Sequence, residues 1–76
     1  MKIEPKHIKE KRIVGMLPNN TPVLYIETFG GLHAIFANRN GQVESLAALP
    51  HKGMSVWLAG KKCPEIKWDQ KALLGA

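Results

Sequence analysis

What the chain lacks sets the first limits. It has a single cysteine, Cys63, in 76 residues, so no internal disulfide framework holds it, and one lone thiol fits a reducing cytoplasm. No apolar run approaches the ~18 residues of a membrane span, and no apolar region follows the charged N-terminus as a secretion signal would require. A soluble cytoplasmic protein without a membrane partner is expected. Acid is scarce as well: six Asp and Glu face eleven Lys and Arg, for a net charge of +5.

Chemical motifs are absent too. The three histidines, His7, His33 and His51, and Cys63 show no metal-ligand spacing, and a zinc site needs about four ligands. Two lysines precede Cys63, which favours a thiolate. No histidine stands close in sequence as a base, however, and Pro64 accounts for the position as a helix stop. Gly30-Gly31 has no Gly-Lys-Ser or Gly-x-Gly-x-x-Gly around it and is no phosphate loop. The acids Glu4, Glu10, Glu65 and Asp69 lie in charged, solvated company. No enzyme, cofactor or metal is expected.

What is present is a β-rich centre. From Pro22 to Ala48 the chain is dense in β-branched and aromatic residues, Val23, Tyr25, Ile26, Thr28, Phe29, Ile35, Phe36 and Val43. Gly30-Gly31 and Asn40-Gly41 punctuate it as two-residue hairpin turns, since both pairs tolerate the positive φ that type I′ requires. That register sets Tyr25 opposite Phe36, Ile26 opposite Ile35, Asn38 opposite Val43, Phe36 opposite Ser45 and Ile35 opposite Leu46. One face then collects Leu24, Ile26, Ile35, Ala37, Leu46 and Ala48. The other collects Val23, Tyr25, Phe29, Leu32, Ala34, Phe36 and Val43. A one-residue slip exchanges the sets, yet both faces stay apolar, unlike a sheet with one wet face.

Around this centre, residues 1–11 read as a basic arm and Ile13 to Leu17 as a first strand, with Gly15 marking a bulge or a close backbone approach. Met54, Trp57 and Leu58 fall at helical spacing over 51–62, where Gly53 and Gly60 weaken a helix and a fifth strand is the competing reading. Ile66 and Trp68 suit a short edge strand or an extended segment packing across the helix. Residues 70–76 read as a tail in which Leu73-Leu74 can dock on the core. The fold expected is α+β: one domain over 1–76, a four-stranded antiparallel meander with one C-terminal helix on its aliphatic face, Trp57 and Leu58 packing over Ile26, Ile35 and Leu46.

Pro50-His51-Lys52, Ala59, Lys61-Lys62, Pro64, Ile66 and Trp68 resemble a segment of small bacterial and prophage-type proteins, in which Pro-His-Lys/Arg, a short helix and Lys-Lys-x-Pro-x-Ile-x-Trp follow a β-meander. The likeness is confined to residues 50–68, and Gly53 departs from it where a helix former is expected. It implies strands followed by a helix, and no activity.

Two functions follow. A second apolar face invites a protein partner or a second copy of the chain, through Tyr25, Phe29, Leu32, Phe36 and Val43. The competing account has the chain's own ends covering that face. The basic ends, Lys2, Lys6, Lys9, Lys11 and Arg12 with Lys61 and Lys62, point instead to nucleic acid, or simply to solubility. A protein-interaction module is the leading expectation, and nucleic-acid binding the alternative.

Overall fold

A computed structural model describes residues 4–39 and 41–75. A 3-10 turn at Pro5–His7 leads into β1 (Ile8–Met16), β2 (Pro22–Thr28), β3 (His33–Arg39) and β4 (Gln42–Leu49). Helix α1 (Lys52–Lys62), the two-residue β5 (Lys67–Trp68) and α2 (Gln70–Gly75) complete the chain. The strands form one antiparallel sheet in the order β4-β3-β2-β1-β5. The α+β class is as expected. The described residues add a fifth strand and a second helix to it.

The β2–β3 loop differs from the expected two-residue turn. The Thr28 N–H donates to Leu32 O at 2.9 Å, and the Leu32 N–H donates to Thr28 Oγ1 at 3.1 Å. This pair closes a three-residue loop, Phe29-Gly30-Gly31, in which Gly31 takes the left-handed φ of 87°. The threonine hydroxyl caps the return strand, so a single left-handed glycine suffices. Tyr25 therefore pairs with Ile35, Ile26 with Ala34 and Leu24 with Phe36. The one-residue shift sends Tyr25 and Phe36 to opposite faces. The second hairpin has its expected register, Asn38 to Val43 and Phe36 to Ser45, as far as a bulge. There Ala47, not Leu46, stands opposite Ile35, and both Leu46 and Ala47 are buried.

Helix α1 covers the face that carries Val23, Tyr25, Ile35 and Ala37, and Val14, Leu17, Leu46, Ala47, Ala59, Cys63 and Ile66 complete that core. The helix sends two small side chains inward. Ser55 and Ala59, four apart on one stripe, are fully buried, and Ser55 Oγ donates to His33 O at 2.8 Å. Leu58 packs against this core as expected, but Trp57 points outward and Ile26 lies across the sheet. On the helix-free face Ile26, Ala34 and Phe36 form a smaller buried cluster flanked by Ile8 and Ala48.

Residues 8–11 and 70–75 form regular elements where an arm and a tail were expected. Strand β1 begins at Ile8, inside the expected arm, because Ile8 pairs with Thr28 and the Phe29 N–H donates to His7 O at 3.0 Å. The expected tail is α2. Asp69 Oδ1 accepts the N–H groups of Lys71 and Ala72 at 3.1 and 3.3 Å, an N-cap that starts the helix. Leu73 packs on the core, while the side chain of Leu74 lies outside the described residues.

Gly15 meets both of its expectations. The β1 ladder shifts between Ile13 and Gly15, and β5 crosses so closely that a Cβ on Gly15 would stand 3.0 Å from Ile66 Cγ2 and from Lys67 O. Gly15→Ala should lower the unfolding free energy by about 1–3 kcal/mol, as overpacking does. Urea unfolding followed by tryptophan fluorescence checks this, and an unchanged midpoint would mean that β5 does not hold this close contact.

Candidate interaction surface

The expected aromatic face is not formed as one surface. Tyr25 is 0% exposed beneath α1, and Phe36 is buried on the far side of the sheet. Leu32 is half-buried. Phe29, 72% exposed, sits in the β2–β3 loop, whereas Val43, 74% exposed, lies by the turn at the opposite end of the meander. The shifted register is what divides Tyr25 from Phe36, which a two-residue turn would have paired on one face.

The expected nucleic-acid residues are divided as well. Lys6 lies 3.3 Å from Glu4, Lys9 lies 3.5 Å from Glu27, and Arg12 is paired with Glu10. Arg12 Nη1 also donates to Ala72 O at 3.3 Å, which ties β1 to α2. Lys11 is exposed, and Lys2 lies outside the described residues. The Ser55–His33 bond sets the first turn of α1 at the end of the sheet where β1 begins. Lys61 and Lys62, at the other end of α1, are therefore remote from Lys6 and Lys9.

A different surface comes together on the outside of α1. With Ser55 and Ala59 inward, Met54, Trp57 and Lys61 point outward at helical spacing, Met54 47% and Trp57 51% exposed. Lys61 Nζ lies 4.2 Å from the centroid of the Trp57 ring, a cation–π contact. Gly60 stands one turn from Trp57, and a Cβ there would lie 3.9 Å from Trp68 Nε1. Trp68 in turn lines an open groove of ≈ 360 Å³ with Ile13, Gly15, Met16, Lys67 and Asp69. The exposed surface of α1 thus comprises Met54, Trp57 and Lys61, whereas Ile13 and Met16, paired with Leu24 and Pro22, line the groove from the helix-free face of the sheet. Sequence reasoning had placed Trp57 in the core, since periodicity reveals a stripe but not which stripe turns inward. The small pair Ser55 and Ala59 was the available signal, because it lets a helix lie close on a sheet.

No family model matches the chain, and no curated protein or solved structure matches it at a significant level. Among the described residues no helix is long and apolar enough to cross a membrane, and no group of three or more His, Cys, Asp and Glu is placed to hold a metal ion.

One polar network crosses the main core. Tyr25 Oη and His33 Nδ1 are hydrogen-bonded at 2.5 Å, and the two rings stack at 5.9 Å. Burial pushes the Tyr25 phenol up to about 12, with the Glu27 and Glu10 carboxylates adding to the effect and Arg12 partly offsetting it. Tyr25 is 0% exposed, and its bond to His33 is a polar tie within the core. A phenol held neutral in the fold, at about 12 against 10.0 when free, contributes stability that is intact below pH 10 and is lost as pH rises towards 12. The unfolding free energy should therefore fall over this window, and Tyr25→Phe should fall less. Parallel curves for the two proteins in urea titrations would contradict it.

Proposed function

We propose that the protein is a non-enzymatic interaction module, of the kind that serves as an accessory or inhibitor in a phage or other mobile element, and that it works by covering a partner's surface. The observation that carries this reading is Trp57, half exposed beside an equally exposed Met54 on the outer face of a well-packed helix. Tryptophan is among the residues that anchor protein interfaces, and methionine is enriched in them. Helix α1 keeps its inward contacts through Ser55, Leu58 and Ala59, so the outward pair adds little to the fold.

This reading moves the interface from the sheet to the helix. A dimer through Tyr25 and Phe36 has no surface to use, because both are already buried within the chain. Nucleic-acid binding is the lesser reading, since Lys6, Lys9 and Arg12 already face acids.

The test is a paired capture experiment with wild type and the double variant Met54→Ser/Trp57→Ser, with nuclease and in high salt. The variant should unfold within about 0.5 kcal/mol of wild type, as exposed positions usually allow. A protein retained by wild type and lost by the variant, in high salt, is the expected result. Retention that nuclease or salt abolishes would replace this reading with nucleic-acid binding.

A further inference from the structure

We infer that β4, the open edge of the sheet, pairs with β4 of a second copy of the chain, antiparallel about a two-fold axis. An edge strand presents a row of unpaired N–H and C=O groups, a template for another strand. The two edges of this sheet are guarded unequally. On the β1 side, β5 pairs with Gly15 and Met16, the Asp69 N–H donates to Val14 O at 2.8 Å, and Arg12 reaches Ala72 O of α2. The rest of β1 carries Lys9 and Lys11, charges of the kind that keep other strands away. Strand β4 contains no Lys, Arg or Pro, and Gln42 to Ser45 are exposed in an unbroken run.

The hairpin decides which groups of β4 are on offer. Arg39 stands opposite Gln42 across a two-residue loop, so that pair is hydrogen-bonded. Pairs alternate along an antiparallel ladder, so Ala37–Glu44 is bonded as well, while Asn38–Val43 and Phe36–Ser45 are not. Val43 and Ser45 therefore aim both backbone groups away from β3, and among the described residues no backbone group pairs with them there. Val43 also leaves an aliphatic side chain 74% exposed.

Symmetry then selects a register. An axis at Val43 sets Val43 opposite Val43 of the second copy, Gln42 opposite its Glu44, and Ser45 opposite its Gly41. An axis at Glu44 would bring two carboxylates face to face, which is destabilising. An axis at Ser45 would run the pairing into the bulge at Leu46 and Ala47. Only the Val43 axis joins an apolar pair at its centre to regular strand on both sides. Because β5 and α2 close the other edge, such pairing stops at two chains.

The experiment is sedimentation velocity over a wide range of protein concentration, with far-ultraviolet circular dichroism to check the fold of each variant. Wild type should pass from one chain to two as concentration rises. Val43→Pro removes the central donor, and because that N–H faces away from β3, the ladder within the chain is kept. This variant should stay folded and monomeric, while Val43→Thr, with its backbone intact, should still dimerise. Gln42→Lys should tighten the dimer about fivefold and Gln42→Glu should weaken it about as much, since the axis repeats each pair with Glu44. These two exposed substitutions decide the matter if Val43→Pro fails to fold. Equal shifts for both would overturn the register. Wild type that remains one chain at every concentration would overturn the pairing, as would a dimer that a folded Val43→Pro leaves intact. Met54→Ser/Trp57→Ser should remain dimeric; a monomer there would place the contact on α1 and overturn the edge pairing.

Discussion

The bond pair between Thr28 and Leu32 is the constraint on which the remaining structure depends. It sets a three-residue loop with one left-handed glycine, and so decides which side of the sheet every later strand residue faces. With Tyr25 opposite Ile35, the largest polar side chain of the sheet goes under the helix. A buried phenol needs a partner, and the same register provides one by setting Glu27 opposite His33 one row away. His33 then does two jobs: its ring meets Tyr25, and its carbonyl accepts the Ser55 hydroxyl, which anchors the first turn of α1. The turn, the core and the helix position are one linked choice.

Helix geometry does the rest. Ser55 and Ala59 inward bring α1 close to the sheet, and close packing leaves no room beneath it for an indole. Trp57 must then lie on the outside, where Lys61 covers part of its ring. The fold still buries a full core because the bulge at Ile35 turns both Leu46 and Ala47 inward, and because Ile66 and Leu73 close the sides. Exposed Met54 and Trp57 are thus no failure of a small core. The core is complete without them.

Much of this was legible in advance, and the misses have identifiable causes. The Asn40-Gly41 hairpin and the Gly15 irregularity follow from glycine chemistry that few alternatives can imitate. Gly30-Gly31 misled because two glycines fit a type I′ turn on paper, while the Thr28 hydroxyl offered a cap that made one of them sufficient. The edge strand at Trp68 was readable from alternation. The helix after it was not, since Asp69 looked like one more solvated acid until its carboxylate was seen to cap Lys71 and Ala72. The candidate surface was the least legible part. It depends on which stripe of α1 turns to the sheet, and that tertiary choice leaves no periodic mark.

The charge pattern has a physical logic that composition hides. The cations of the first turn and strand are largely paired within the chain, Lys6 with Glu4, Lys9 across to Glu27 of β2 and Arg12 with Glu10, and Arg12 also reaches α2. Exposed pairs of this kind contribute little stability each. They do neutralise the field at that edge. The positive charge that remains includes Lys61, which lies over the Trp57 ring. Apolar anchors give a binding surface its affinity, and unpaired charge at its rim gives it direction and selectivity. A chain that uses its acids to quiet one end and leaves Lys61 over its exposed Trp57 therefore has one region, the outer face of α1, in which both requirements are met together.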